Sequence, residues 1–138
     1  MTFTLKVSPL SIQHGNRIGV VNGRAMIFKD AKSKKYQELV RVLAMRYRPA
    51  QPFTGPLVVD YVFVLPRPKR LMRKSDPDGL VPCTTRPDRD NLQKGTQDAL
   101  KDFWSDDAQI FDGRTTKFFA EKDGEPRIVV TISQGEAA

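Results

Sequence analysis

Two pairs of aspartates and a lysine lie close together in this sequence, and they are of the types that metal-assisted chemistry requires. Asp88 and Asp90 are followed by Lys94, and a second pair, Asp106 and Asp107, begins less than twenty positions after the first. A hard divalent cation takes several oxygen ligands, usually carboxylates, whereas zinc prefers nitrogen and sulfur. The cluster therefore predicts a site of the Mg²⁺ type.

The spacing of these residues indicates how they would meet. If the segment before the predicted second helix is extended, Asp88 and Asp90 point to the same face and Arg89 points to the other. Two carboxylates held that close repel each other unless a cation lies between them. Asp107 follows the helix and is expected to close the same site from the next strand. Lys94 lies one helical turn beyond Asp90, near enough to reach a phosphate or a metal-bound water.

Structural explanations compete with this interpretation. Asp90 is suited to cap the helix, with Gln93 completing a capping box, and Asp106 and Asp107 are typical of a loop. Lys94 is equally typical of a solvated helix face.

A second aspartate pair with the same spacing provides a comparison. Asp76 and Asp78 flank a proline, and turn formation with the glycine that follows explains them fully. The group at Asp88 differs because a lysine and a returning aspartate accompany it. We therefore prefer the active-site interpretation.

Composition restricts the class of protein. At 138 residues we expect one domain, 1–138, with a frayed tail at about 134–138. Cys83 and His14 are the only residues of their types, which excludes an internal disulfide and a Cys/His zinc site, while a Cys-His nucleophilic pair stays open. No apolar run is long enough for a membrane helix, and the first residues lack the pattern of a secretory signal. We expect a soluble, cytoplasmic protein.

The charge of the chain indicates its partner. A formal net charge of +7 favours nucleic acid, since neutralising phosphates releases counterions and gives affinity without sequence preference. A plain basic surface is the alternative. The proline-rich segment at about 66–87 is expected to be a long, mobile loop that contacts the DNA backbone. Its cationic side chains are Arg67, Lys69, Arg70, Arg73 and Lys74.

Hydrophobic periodicity predicts an α+β architecture. Residues 2–7 alternate as a half-buried strand does, and Asn22-Gly23 is expected to join a β-hairpin of about 18–28. A first helix follows, with Asp30 as its N-cap, and ends before two prolines. Its apolar stripe consists of Tyr36, Leu39, Val40, Leu43, Ala44 and Tyr47.

The second half of the chain supplies the elements around the acids. The nearly continuous apolar run 57–65 is typical of a central strand covered on both faces. A second helix is predicted from about 91 to 103, and Gly95 inside it suggests close approach of another backbone or of DNA. Its buried stripe is Leu92, Ala99, Leu100 and Phe103. A last hairpin with an Asp-Gly turn is expected to join about 109–119 to 127–133.

Three linked blocks of sequence carry a resemblance to a known family. They read Pro-Asp-x-Asp-Asn-Leu-x-Lys, then Asp-Ala-Leu, then Trp-x-Asp-Asp-x-Gln-Ile/Val, and they run in this order from Pro87 to Ile110. Together they resemble the signature of RusA-type Holliday junction resolvases. Two positions depart from it, because Arg89 stands where an apolar residue is usual and Gly95 where alanine is common.

The resemblance implies a fold and a function. The fold is α/β (α+β), with a mixed sheet packed against two main helices in a homodimer. The function is cleavage of four-way DNA junctions in recombination and repair, with Mg²⁺ as cofactor and Mn²⁺ as a substitute. By position, the resemblance implies that Asp88, Asp90 and Asp107 bind the metal and that Lys94 is the catalytic lysine. We expect no nucleotide cofactor and no membrane association.

Two other interpretations stay open. One is a non-catalytic DNA-binding module whose aspartates only cap helices and form turns. The other is a metal-dependent nuclease for different branched DNA, such as flaps.

Overall fold

The structure is a computed structural model that describes residues 1–11, 16–29 and 31–135. Its helices are α1 (Ala31–Ala44) and α2 (Arg89–Ala99), and several single turns of 3-10 helix join other elements. Its strands are β1 (Thr2–Leu5), β2 (Asn16–Val21), β3 (Arg24–Lys29), β4 (Leu57–Leu65), β5 (Val81–Pro82), β6 (Ile110–Asp112), β7 (Thr115–Phe119) and β8 (Arg127–Gln134).

Strand β4 is the centre of the mixed sheet, as its apolar composition predicts. Alternate residues from Leu57 to Phe63 are buried, and so is Val64, so the strand is covered on both faces near its end. β8 pairs with β4 antiparallel, whereas β6 and β7 pair with it in parallel on the opposite edge. β1 extends the sheet beyond β8, and β5 extends it beyond β7.

The predicted hairpin between 109–119 and 127–133 is wrong. β7 and β8 lie on opposite edges of β4, each hydrogen-bonded to it, so they are not each other's partners. A buried strand must satisfy the peptide groups on both of its edges, and this arrangement does so. The predicted strand 109–119 is also two strands, since Gly113 interrupts it with φ +156°. A Cβ at Gly113 would lie 1.9 Å from the Val59 carbonyl oxygen, so the close approach requires glycine.

The predicted first hairpin is confirmed. β2 and β3 pair antiparallel, and Asn22 (φ 52°) and Gly23 (φ 76°) provide the two positive φ values of a tight turn. The predicted first strand is confirmed as β1, whose side chains alternate between exposed and buried.

Helix α1 is confirmed, with one error in its buried stripe. Tyr36, Val40 and Ala44 are buried, but Leu39 is 47% exposed. A single stripe on a surface helix is narrower than the six positions assigned to it, and Leu39 falls at its edge. Asp30, the predicted N-cap, lies outside the described residues.

The buried side chains form one core beneath both helices. Phe3 stacks on Tyr47 at 4.9 Å between ring centroids and on Phe103 at 5.4 Å, which joins β1 to the 3-10 turns that follow α1 and α2. All four residues of the predicted α2 stripe are buried, including Leu92 and Leu100. Within the described ranges, no helix has the length and hydropathy that crossing a membrane requires.

The basic loop at about 66–87 is organised by hydrogen bonds from the Arg67 side chain. The Arg67 guanidinium donates to the carbonyl oxygens of Leu71 (2.9 Å), Gly79 (3.0 Å), Pro77 (2.5 Å) and Ala120 (3.3 Å). These bonds connect the start of the loop to its middle and to Ala120, the residue that follows β7. Arg67 is therefore used to fold the loop, and the cations that are available to a ligand must be others.

Lys122 supports the same loop from the far side. Its ammonium donates to the carbonyls of Arg73 (2.7 Å) and Asp76 (2.8 Å) and forms an ion pair with Asp78 at 3.2 Å. The backbone N–H of Arg73 also bonds to Asp76, and this bond holds the pKa of Asp76 below its usual value. Asp76 and Asp78 thus serve the turn, as the sequence comparison proposed.

We predict that Arg67→Ala lowers the free energy of unfolding by about 2–3 kcal/mol, because charge-assisted hydrogen bonds to four carbonyls are lost together. Chemical denaturation measures it. Lys74→Ala is the control, since Lys74 is exposed in the same loop, and it is expected to change stability by less than about 0.5 kcal/mol. Equal effects of the two substitutions would contradict the role given to Arg67.

Candidate active site

Helix α2 begins at an N-cap residue whose side chain makes no capping hydrogen bond. Asp88, not the predicted Asp90, is the N-cap, with extended backbone at φ −73° and ψ 150°. Aspartate at this position usually accepts a hydrogen bond from the first turn, worth about 1 kcal/mol. The Asp88 side chain makes no such bond. Its carboxylate is exposed and available for another partner.

Asp90 lies in the first turn of α2. The extended conformation that the sequence argument assumed therefore holds for Asp88 alone. The helix begins two residues earlier than predicted, which moves Asp90 from the cap into the helix. The predicted capping box of Asp90 and Gln93 is absent from this helix, because its cap position belongs to Asp88.

The start of α2 is attached to strand β7 by side chains from the helix. Arg89 donates through Nη1 to the Thr115 carbonyl oxygen at 3.0 Å. The Thr115 hydroxyl donates to Gln93 Oε1 at 2.6 Å. The first turn of α2 is thus fixed against one residue of the sheet.

Lys117 lies two residues after Thr115 in β7, and it attaches the segment that precedes α2. Its ammonium donates to the carbonyl oxygens of Thr85 (2.5 Å) and Pro87 (2.7 Å). Pro87 immediately precedes Asp88, so these bonds set the position from which the cap carboxylate projects. Lys117 is half-buried, and both of its bonds are charge-assisted.

These contacts border an open cleft of ≈ 790 Å³ between α2 and β7, which we call the α2–β7 cleft. Asp88 and Asp90 both line it, so the structure brings these two predicted residues together. Arg89 and Lys117 line it as well. The cleft therefore presents acids that suit a cation beside cations that suit an anion.

The second aspartate pair divides into two roles. Asp106 caps a 3-10 turn: its Oδ1 accepts from the Ala108 N–H at 2.8 Å, and its own N–H donates to Gln109 Oε1 at 2.7 Å. The amide of Gln109 also donates to the carbonyls of Phe53 and Gly55, both at 3.0 Å. Asp106 and Gln109 thus form a capping box at this 3-10 turn, and both side chains are engaged in its hydrogen bonds.

Asp107 is held by a different partner and lies in a different cleft. The indole N–H of Trp104 donates to Asp107 Oδ1 at 2.5 Å. Asp107 lines a cleft of ≈ 540 Å³ between α1 and α2, the α1–α2 cleft, together with Asp98. Its other charged lining residues are Lys34, Glu38, Arg41 and Lys101. The expected return of Asp107 to Asp88 and Asp90 does not occur within one chain.

Tyr61 lies close to this second acid. Burial raises the pKa of the Tyr61 phenol well above its usual value, and the negative charges of Asp107 and Asp98 raise it further. The phenol therefore stays protonated and donates to Gln97 Oε1 at 3.3 Å. It is a structural donor under helix α2 rather than a base.

The carboxylates of Asp88 and Asp90 suit one way in which proteins bind Mg²⁺. Among the residues that the structure describes, no group of three or more acidic, histidine or cysteine side chains is close enough to enclose a metal. Mg²⁺ does not require such a cage, because it commonly binds one or two protein carboxylates, several waters and a substrate phosphate. Asp88 and Asp90, exposed in one open cleft, match that mode.

The remaining predicted residues are placed as follows. Lys94 is exposed on α2, one turn after Asp90, and lines neither cleft. Gly95 is buried, and its carbonyl accepts from Gln37 Nε2 at 3.3 Å, so α1 is the approaching neighbour rather than DNA.

In the basic loop, Lys69, Arg70, Arg73 and Lys74 are exposed, whereas Arg67 is half-buried. Arg70 lies over the Phe119 ring at 5.7 Å.

Sequence reasoning overlooked the residues that hold the acids. Lys117 and Thr115 carried no signal beyond strand periodicity, and Arg89 was noted only as a departure. The indole of Trp104 stands three residues before Asp107, which is the one local hint of its role.

The structure is a single small α+β domain that carries two exposed aspartates in one open cleft. Comparison with known families is more specific: residues 9–133 match the family described as Endodeoxyribonuclease RusA. The chain belongs to the RusA family of endodeoxyribonucleases, as its three sequence blocks predicted.

Two individual relatives were also found, and one of them carries the family's name. The chain is 34% identical over 141 residues to uncharacterized protein YqaN of Bacillus subtilis (strain 168), which covers 98% of this chain and 96% of that protein. It is 43% identical over 53 residues to crossover junction endodeoxyribonuclease rusA of Enterobacteria phage 82, which covers 37% of this chain and 44% of that protein.

We predict that Lys117→Met lowers the free energy of unfolding by about 2–3 kcal/mol, because two carbonyls lose a charged donor. Hydrogen exchange should rise first in 85–93, the segment that Lys117 attaches. The control is Lys35→Met, an exposed lysine on α1, which should change neither quantity. Unchanged exchange in that segment would show that Lys117 does not position it.

Proposed function

We propose that this protein is a Mg²⁺-dependent, structure-specific endonuclease that resolves four-way DNA junctions. The observation that carries the proposal is the Asp88 carboxylate, which forgoes its capping bond and faces the α2–β7 cleft together with Asp90. A capping aspartate that does not cap costs stability locally, and such costs are typical of residues kept for function.

Asp88 and Asp90 would hold the metal ion in this cleft. When bound, Mg²⁺ polarises a phosphate oxygen and lowers the pKa of a coordinated water. Lys94 lies on the exposed side of α2, one turn beyond Asp90, and would stabilise negative charge that develops on the phosphate. Lys117 keeps the cap residue in place through Pro87. Hydrolysis by an in-line water leaves a 5′-phosphate and a 3′-hydroxyl.

The homodimer would supply the third acid. Asp107 lines the α1–α2 cleft, apart from Asp88 and Asp90 in the same chain. A two-fold dimer joins the same surface patch of both copies, so that two different residues of the patch face each other twice. The partner subunit's Asp107 would complete the site at Asp88 in this way. A four-way junction has two symmetric strands to cut, and a two-fold enzyme presents two equivalent sites to it.

The basic loop would contact the DNA backbone. Lys69, Arg70, Arg73 and Lys74 are exposed there and add to a net charge of +7. Phosphate contacts of this kind give affinity that falls with salt and carries no sequence preference. Arg67 uses most of its donors for four carbonyl oxygens, so the four exposed cations are the better candidates for this role.

We predict that Asp88→Asn reduces Mg²⁺-dependent cleavage of a synthetic four-way junction by at least about a thousandfold while junction binding persists, because a metal ligand is lost. Cleavage is compared on junctions, flaps and plain duplex, with and without EDTA. Asp78→Asn is the matched control, since Asp78 has the same sequence spacing but serves a turn, and it should cleave as the wild type does. If Asp88→Asn cleaves normally, the metal assignment fails, and if the wild type cuts flaps better than junctions, the substrate assignment fails.

We predict that a mixed dimer of Asp88→Asn and Asp107→Asn chains regains nicking activity. If each site uses Asp88 of one chain and Asp107 of the other, one site carries both substitutions and the second carries neither. Co-purification with two affinity tags isolates the mixed dimer, and junction nicking is measured against both homodimers. A mixed dimer as inactive as its parents would mean that each chain provides both acids to its own site.

A further inference from the structure

Arg89 is the cation in the α2–β7 cleft that retains donors for an anion. Lys117, the other cation of this cleft, has two short bonds to carbonyl oxygens. Arg89 makes a single hydrogen bond among the described residues, from Nη1 to the Thr115 carbonyl. A guanidinium carries five N–H donors in a planar fork, so most of its donors are left over.

Arg89 does not neutralise the acids on either side of it. Asp88 and Asp90 are its sequence neighbours, yet none of the ion pairs within the described ranges includes Arg89. Its side chain reaches to β7 instead. The carboxylates thus stay available for a cation, and the guanidinium stays charged and available for an anion.

Helix physics disfavours an arginine at this position. Arg89 is the first residue of α2, where the positive end of the helix dipole favours acids and repels cations. The bond to Thr115 holds the guanidinium in one orientation while the residue stays exposed. A pre-oriented guanidinium loses less entropy when it binds a phosphate than a free one does.

We propose that Arg89 binds a DNA phosphate at or next to the one that is cut, and so places the strand over Asp88 and Asp90. Arginine suits this because its fork matches two phosphate oxygens at once. The location of the phosphate next to the cleaved bond rests on the proposed function, but the phosphate contact itself is measurable without cleavage.

The first test is the salt dependence of binding. Wild type, Arg89→Met and Arg89→Lys bind a labelled synthetic four-way junction in EDTA over a series of NaCl concentrations. Loss of one phosphate contact should make the slope of log K against log[salt] shallower by about 0.9 and weaken binding roughly tenfold at low salt. Arg89→Lys should keep the slope and recover part of the affinity. Arg46→Met is the control for one lost charge, since Arg46 lies over Tyr47 and lines neither cleft.

The second test identifies the phosphate. Junctions that carry one neutral methylphosphonate at successive positions are bound by wild type and by Arg89→Met. Wild type should lose about tenfold in affinity at one position that costs Arg89→Met nothing, and that position should lie within about one nucleotide of the cut mapped with Mg²⁺.

The outcomes separate this proposal from the proposed function. An unchanged salt slope with a lowered melting temperature would mean that Arg89 only attaches α2 to β7, and it would overturn the inference. So would a methylphosphonate scan in which every position affects both proteins equally. Failure of the wild type to cleave would refute the proposed function but leave the phosphate contact standing. Failure of the wild type to bind any branched DNA would refute both.

Discussion

The contacts between β7 and the chain around the start of α2 determine where two of the acids lie. Lys117 fixes the two carbonyls that precede the helix, and Thr115 fixes its first turn through its backbone and its hydroxyl. β7 can serve as this support because β4 holds it in parallel register along five residue pairs, Tyr61 to Leu65. The position of Asp88 therefore depends on the centre of the sheet, through side-chain bonds rather than through local helix propensity.

The same helix explains why the acids are divided between two clefts. α2 has eleven residues, and an α-helix of that length is about 16 Å long. Asp88 lies at its beginning, and Asp107 lies eight residues after its end. The chain that follows α2 forms 3-10 turns at Lys101–Phe103 and Asp107–Gln109 instead of running back along the helix, so the two acids stay at opposite ends of it.

Much of the fold could be predicted because it depends on local patterns. The Asn22-Gly23 turn, the central strand at 57–65 and the buried stripe of α2 follow from residue type and period, and the structure confirms each. Strand pairing was harder to predict. β7 and β8 follow each other in sequence, but each pairs with β4, whose peptide groups need a hydrogen-bond partner on both edges. The side chains that position the site, such as Lys117, act across more than twenty residues and leave no local pattern.

The contrast between the two capping aspartates shows what the sequence alone could not reveal. Asp106 and Asp88 both stand immediately before a helical turn, and both begin with extended backbone. Asp106 accepts the bond from the turn that follows and is complete. Asp88 has the same opportunity and does not use it, because its entry segment is held by Lys117 while its carboxylate faces the cleft. Two residues with the same local preference thus differ in their tertiary contacts, and the overridden preference of Asp88 leaves its carboxylate exposed in the cleft.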